Sequence, residues 1–257
     1  MGGVNRRQPS AGLPEALLSV WRQFDALPME TLTKAWLASR YGAAWQRSVA
    51  EMRRQHAEHG TAGNCFDLAR WLMADLAAQD VPAWGIGHDV WGDLAHVAVV
   101  ARIDGARYLC DLGDMWLYPA PLDREWAAPE SGWFPAAQVK VAHDDRWCQV
   151  AYHRPGGKVS HQTYDLTPLD DDALRQAGER SQQRLSVPLV EVRVWDRARP
   201  AHWEFSDWSS WLSTDEGLEP DPPLADDRAW ADRIARRTGI HSDVAVSALE
   251  RYRQPRA

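Results

Sequence analysis

Cysteine, histidine and aspartate are the side chains from which a protein assembles a nucleophile, its base and the group that orients the base. In this chain of 257 residues, Cys65, His96 and Asp111 fall where local structure would aim them at one another. Asn64-Cys65-Phe66-Asp67 has the form of a helix start, with Asn64 as the cap and Asp67 three residues on in the manner of a capping box, so Cys65 is the first helical residue. A thiol there faces unpaired N–H groups and the positive end of the helix dipole, an environment that lowers a thiol's pKa. The same N–H groups offer an oxyanion hole. Leu68, Leu72 and Leu76 recur every four residues, which predicts a helix buried along one side and a cysteine held in place.

The histidine and the aspartate belong to a predicted hairpin. Asp104-Gly105 lies between Ala95–Ile103 and Ala106–Leu112, and Asp-Gly between two apolar runs is a strong two-residue turn signal. With that turn Ile103 pairs with Ala106 and Ala98 with Asp111, so His96 becomes the diagonal neighbour of Asp111 on the same face. A three-residue loop would put the two side chains on opposite faces. Cys110 points the other way, into the core. An imidazole and a carboxylate on a face otherwise built from Ala and Val need partners, and each supplies the other's. Two readings of these residues stay open: a thiol-imidazole-carboxylate triad, or a structural His-Asp hydrogen bond beside an unrelated buried cysteine. His88, His143, His153 and His161 read as surface residues, with no spacing that would gather an ion, and no metal site is expected.

The elements that must position these residues fall into three stretches. Ala16–Leu27, Met29–Arg40 and Ala43–Glu58 carry apolar residues at helical spacing and predict a helical bundle that continues through the Cys65 helix to Ala78. From Val81 the pattern changes to short apolar or alternating runs, Pro82–Ile86, Ala95–Ile103, Arg107–Leu112, Gln138–Val141, Arg146–Tyr152 and Gln162–Asp165, broken by Gly, Pro and Asp. Asp170–Gln183 is again helical, Leu189–Trp195 is a strand, Asp215–Leu224 is a Pro/Asp-rich connection, and Ala225–Thr238 is a last amphipathic helix.

Composition narrows the function classes. The net charge is -7, and no stretch interleaves Lys/Arg with aromatic residues, so nucleic acid is not expected as a partner. Cys65, Cys110 and Cys148 are an odd number without Cys-x-x-Cys spacing, which argues against a disulfide scaffold or a thiolate zinc site and for a reducing cytoplasmic setting. Met1-Gly2 is followed by Arg6 where a myristoylation signal would want Ser or Thr, and no run reaches the length of a membrane span. Fifteen tryptophans predict broad aromatic packing, most of it core.

Gly63-Asn64-Cys65-Phe66-Asp67, Asp93-Leu94-Ala95-His96-Val97 and Tyr108-Leu109-Cys110-Asp111-Leu112-Gly113 resemble, in order, the three motifs of the arylamine N-acetyltransferases. Weaker likenesses are Glu30-Thr31-Leu32, Tyr164-Asp165-Leu166-Thr167-Pro168-Leu169 and Ile234-Ala235-Arg236-Arg237-Thr238-Gly239-Ile240, so the resemblance runs from about residue 25 to 245. It implies an α+β fold of the cysteine-proteinase type: a helical bundle in residues 1–80 carrying Cys65, an antiparallel β-barrel in residues 81–195 carrying His96 and Asp111, and an α/β lid in residues 196–257. It also implies ping-pong transfer of an acetyl or other acyl group from acyl-CoA, through a Cys65 thioester, to an arylamine-type or other small-molecule amine. His96 would move the proton and Asp111 would fix its tautomer, with no permanently bound cofactor and with acetyl-CoA or another acyl-CoA as co-substrate.

This chain departs from the family pattern around the nucleophile. Thr61-Ala62-Gly63 stands where Arg-Gly-Gly is usual, Ala69 where Asn is usual, and Asp114 where a Phe follows the aspartate motif; the Pro-Phe-Glu-Asn box is missing. The order Cys, His, Asp on a helix and a hairpin is also the core of the transglutaminase-like superfamily. A thiol hydrolase or amidase is therefore the second expectation, and an inactive binding protein on the same scaffold the third. A C-terminal lid with the Tyr164–Leu169 segment and a closing helix favours the acyltransferase, and an open cleft a peptidase.

Overall fold

The computed structural model describes residues 12–196 and 199–254; the expectations attached to Gly2 and Arg6 lie outside them. The chain begins with α1 (Glu15–Trp21), β1 (Met29–Glu30), α2 (Leu32–Tyr41), α3 (Val49–His59) and α4 (Cys65–Ala77). The helix expected from Met29 starts three residues later. Glu30 turns its carboxylate back to accept the Thr33 N–H at 2.7 Å, while Met29 and Glu30 pair their backbones with a distant strand.

A helix layer then gives way to sheet: β2 (Ala83–His88), β3 (His96–Ile103), β4 (Ala106–Cys110), β5 (Ala120–Pro121), β6 (Glu130–Phe134), β7 (Ala137–His143), β8 (Trp147–His153) and β9 (Val159–Leu169). These form one antiparallel sheet in the order β5-β4-β3-β2-β9-β8-β7-β6, curled into a nearly closed barrel. Val97–Ala101 is buried at every position, because α4 packs on β3 and the same strand also faces the barrel core. The β3–β4 turn is the two-residue one, with Asp104 and Gly105 both at positive φ, and Ile103 pairs with Ala106.

The remaining chain runs α5 (Asp171–Gln183), β10 (Leu189–Asp196), β11 (Arg199–Ser206), β12 (Ser209–Thr214), β13 (Gly217–Pro220), α6 (Asp227–Thr238) and α7 (Ser242–Arg253). β1 joins β10–β13 in a second antiparallel sheet, so the boundary expected near residue 195 falls inside it. β5, β6, β11, β12, β13 and α7, like β1, go beyond the sequence expectations. In β11 the inward residues Ala201, Trp203 and Phe205 alternate with His202 and Glu204, and that charged face hides the strand from a reading keyed to apolar runs. The architecture is the expected α+β one.

Two cores hold the layers together. The larger joins α1, α3 and α4 to the barrel through residues such as Trp21, Phe66, Leu72, Val99 and Trp116. The smaller packs α2, α6 and α7 on one face of the second sheet through Leu32, Trp36, Val190, Val192, Trp203, Phe205, Trp230 and Leu249. α2, although it belongs to the N-terminal stretch, therefore serves the C-terminal core. Trp21, Trp116, Trp203 and Trp230 are fully buried, as expected of core tryptophans, whereas Trp91, Trp147 and Trp195 are exposed. No helix among the described residues is long and apolar enough to cross a membrane.

The C-terminal helices are keyed to the bundle where two helix ends meet. Gly60 and Gly239, which end α3 and α6 at positive φ, abut so closely that a Cβ on Gly60 would stand 2.1 Å from the Gly239 carbonyl oxygen. Gly60→Ala is expected to cost about 3 kcal/mol or more, because a backbone clash adds to the φ strain. Gly42→Ala, at a similar φ but with open space around it, should cost only the left-handed penalty of about 1–2 kcal/mol. Denaturant unfolding of the two variants checks this; equal losses would mean that the helix ends are not in contact.

Candidate active site

The start of α4 is held from below by a buried polar cluster. Asn64 caps the helix, its Oδ1 accepting the Phe66 and Asp67 N–H groups at 3.1 and 3.3 Å, and the Asp67 carboxylate accepts the Asn64 N–H in return. Asp67 pairs with Arg47 at 3.1 Å, both side chains being almost wholly buried. Gln46 and Gln182 donate to the same carboxylate at 2.8 and 2.9 Å. Arg47 also donates to the Ala62 carbonyl and to Gln55, each at 2.8 Å, while Glu30 accepts the Ala62 N–H at 3.1 Å. The loop that carries Thr61 and Ala62 is thus clamped through its backbone, and side chains at those positions have no part in the clamp. Gly63 is required where it stands: its φ is +115°, and a Cβ would lie 2.2 Å from Asp67 Oδ2 and 2.4 Å from Arg47 Nη2.

Because the cap takes the Phe66 and Asp67 N–H groups, they cannot serve an oxyanion as the sequence suggested. The Cys65 N–H is the first-turn donor outside the cap.

Opposite the helix start, His96 opens β3 and Asp111 follows β4. His96 Nε2 donates to Asp111 Oδ2 at 2.8 Å, the diagonal contact that the turn register dictates. The Asp111 carboxylate is 0% exposed and is stabilised there by two further donors: the Tyr164 hydroxyl from β9, and the Asp114 N–H to Oδ1 at 2.9 Å. With Nε2 engaged, Nδ1 is the ring nitrogen left for the neighbouring Cys65 sulfur, which favours the protonated ring. Burial by itself would lower the His96 pKa. The charge and hydrogen bond of Asp111, aided by the Cys65 sulfur, reverse this and hold it well above the ordinary histidine value.

All three side chains close on one backbone point. A Cβ on Gly113 would lie 2.7 Å from Cys65 Cβ, 2.7 Å from His96 Cε1 and 3.3 Å from Asp111 Oδ1. Lys34, buried in α2, lies near enough to feel the charge of Cys65. Burial lowers its pKa to about 8, against the raising influence of Cys65, Asp67 and Glu30. Its Nζ donates to the Ser181 carbonyl at 3.1 Å, in the wall of a small cleft that also contains Ala95 and Arg184. Cys110 and Cys148 are buried in the core.

A cavity of about 600 Å³ lies between the barrel and the second sheet, and it reaches Asp114 without including Cys65 or His96. Asp114 accepts a hydrogen bond from the Tyr152 hydroxyl, which accepts one from Trp116 Nε1 at 3.1 Å. Burial and the neighbouring Asp111 charge push Asp114 up to about 6, opposed by His96 and Tyr152.

Sequence reasoning missed the supporting shell: Arg47, Gln182, Tyr152 and the role of Asp114. Tyrosines at inward positions of alternating strands are the one signal that was available, since a buried hydroxyl needs a partner. Of the histidines read as surface residues, His143 and His161 are exposed, while His88 and His153 are half-buried.

No family model matches the sequence, and no curated protein matches it. Solved structures do. The arylamine N-acetyltransferase of Mycobacterium marinum in complex with CoA is similar over 91% of this chain and 90% of its own, with a TM-score of 0.73 at 16% identity. The Mycobacterium smegmatis arylamine N-acetyltransferase matches over 98% and 95%, with a TM-score of 0.72 at 16% identity. That of Salmonella typhimurium matches over 93% of both chains, with a TM-score of 0.70 at 12% identity. At such identities the likeness establishes a shared fold.

Iodoacetamide is expected to alkylate Cys65 far faster than Cys110 or Cys148, whose thiols burial pushes up, that of Cys148 to about 12. His96 should titrate above the free imidazole value of about 6.5 in the wild type and markedly lower in Asp111→Asn, where only the Cys65 sulfur opposes burial. Proton NMR of the imidazole checks the sign, and a histidine that titrates identically in both proteins would dissolve the pair.

Proposed function

We propose that this chain, built on the arylamine N-acetyltransferase fold, is a cysteine-dependent acyltransferase that moves an acetyl or other acyl group from acyl-CoA to a small-molecule amine through a Cys65 thioester. The observation that carries this reading is the convergence of Cys65, His96 and Asp111 on Gly113. The fold adds support, since one of its solved relatives was obtained in complex with CoA.

In the first half-reaction Cys65 Sγ attacks the thioester carbonyl carbon. A carbon–sulfur bond to Cys65 forms, the bond to the CoA sulfur breaks, and the His96 imidazolium gives its proton to the departing thiolate. In the second, the amine nitrogen attacks the acyl carbon, His96 takes the nitrogen's proton, and the Cys65 sulfur leaves. Asp111 keeps the Nε2 proton in place, so that Nδ1 makes both transfers. The Cys65 N–H, lying outside the Asn64 cap, is the donor we assign to the oxyanion.

We divide the labour accordingly: α4 presents the nucleophile, the barrel presents its base and the base's orienter, and the second sheet, which takes β1 from the N-terminal stretch and begins before residue 195, forms the third layer. The chemistry needs no resident cofactor. Three unpaired cysteines support a reducing, cytoplasmic setting. Tyr164 binds Asp111 directly, which ties the Tyr164–Leu169 segment of β9 to the triad.

Brief incubation with acetyl-CoA followed by intact-protein mass spectrometry tests the proposal. The wild type should gain about 42 Da, one acetyl group, and Cys65→Ala should gain nothing. His96→Ala should slow formation of the adduct by roughly 10²- to 10⁴-fold, the usual worth of a positioned base. If the wild type stays unmodified by acetyl-CoA and by longer acyl-CoAs while Cys65 still alkylates rapidly, the acyl-CoA assignment fails and the hydrolase reading takes its place.

A further inference from the structure

We propose that Glu191, His202 and Glu204 form a binding site for a divalent transition-metal ion, Zn²⁺ in the first instance, on the cavity face of the second sheet. The inference is independent of the acyl-transfer reading. It rests on β10 and β11, which pair antiparallel with Glu191 directly opposite Glu204. His202 lies two residues before Glu204 on the same strand, so all three side chains leave one face of the sheet. Each offers a ligand atom, and these atoms lie within 4.8 Å of one another.

The other face of the same strands carries Val190, Val192, Trp203 and Phe205 into the smaller core.

His202 points to an occupant. The residue is 6% exposed and lines the 600 Å³ cavity, yet its Nε2 makes no hydrogen bond among the described residues. Glu191 Oε1 stands 3.4 Å from it, an ion-pair distance without hydrogen-bond geometry. No Arg or Lys among the described residues forms an ion pair with Glu191 or Glu204. Arg193, on the same face opposite His202, commits its guanidinium to the carbonyls of Trp116, at 2.7 Å, and Phe24. Against its burial, His202 is held above its ordinary value by Glu191 and balances one carboxylate, and Arg154 acts on the other from across the cavity. Among the described residues, however, neither glutamate has an Arg or Lys in direct contact, and a bound cation would join all three groups.

The donor set suits such an ion. One imidazole nitrogen and two carboxylate oxygens are borderline ligands of the kind Zn²⁺ accepts, and their two negative charges balance its two positive ones. Zinc–ligand bonds of about 2.0–2.2 Å place tetrahedral ligand atoms about 3.3–3.6 Å apart. The present spread therefore needs inward movement of about an ångström, within reach of a glutamate rotamer. Trp211 stands opposite Glu204 on β12 and favours its charged form, so its indole N–H is placed to orient that carboxylate from behind the ligand atoms. Three protein ligands leave a fourth position facing the cavity, open to water or to an oxygen donor of a small molecule.

The test uses the full-length protein, stripped with a chelator and titrated with Zn²⁺ against a chromophoric competitor. The proposal expects one bound equivalent that persists in Cys65→Ala, where the triad cannot supply a thiolate ligand. It expects at least tenfold weaker binding in His202→Ala, and the same in the isosteric Glu204→Gln. Near-UV circular dichroism and the rate of Cys65 alkylation report whether each variant is folded; should His202→Ala misfold, Glu204→Gln decides. Absence of a bound equivalent in the wild type overturns the site. So does unchanged affinity in a folded His202→Ala or Glu204→Gln variant. Binding that disappears in Cys65→Ala places the ion at the triad and overturns it equally.

Discussion

A single buried carboxylate organises the centre of this protein. Asp111 has no contact with solvent, and a charge so placed is tolerable only because three donors reach it: His96 from β3, Tyr164 from β9 and the Asp114 backbone from the following turn. Those donors come from separate parts of the barrel, so forming the hydrogen bonds also fixes where the strands meet. The same arrangement sets the electrostatics. A negative charge shielded from water raises the proton affinity of the imidazole above it, and this makes a protonated His96 beside a cysteine sulfur a stable arrangement.

The nucleophile side is built on a second buried charge. Asp67 closes the cap around Asn64 and is neutralised by Arg47, which also holds the Ala62 carbonyl. The departures from the family pattern at Thr61 and Ala62 lie in this loop, where backbone groups make the contacts. The clamp itself is therefore made without those side chains, whereas at Gly63 a Cβ would strike both members of the ion pair. Support for the thiol joins Asn64 and Asp67 of the motif to Glu30 of β1, Gln46 and Arg47 of the loop between α2 and α3, Gln55 of α3 and Gln182 of α5.

The second sheet shows how one strand serves two purposes. Period-two alternation sends Trp203 and Phe205 into a core with α2, α6 and α7, and sends His202 and Glu204 toward the barrel. The cavity between the layers is walled by that polar face on one side and ends on Asp114 on the other. The charges of the two walls act on one another: Glu191 helps to raise Asp114, and Asp114 helps to raise His202.

Local physics made much of this legible from sequence. The Asn64–Asp67 capping box, the four-residue leucine repeat of α4 and the Asp104-Gly105 turn depend on neighbours a few residues away, and together they place Cys65 at a helix start and His96 diagonal to Asp111. The sequence did not determine which distant groups would share a buried charge. Arg47, Gln182, Tyr152 and Tyr164 meet their carboxylates only because the layers pack as they do. Nor could it show that Met29-Glu30 would leave the helix to pair with β10, or that α2 would join the C-terminal core. Those outcomes depend on partners more than 150 residues away, and the free energy that selects them, burial of apolar surface and neutralisation of buried charge, exists only once the layers have come together.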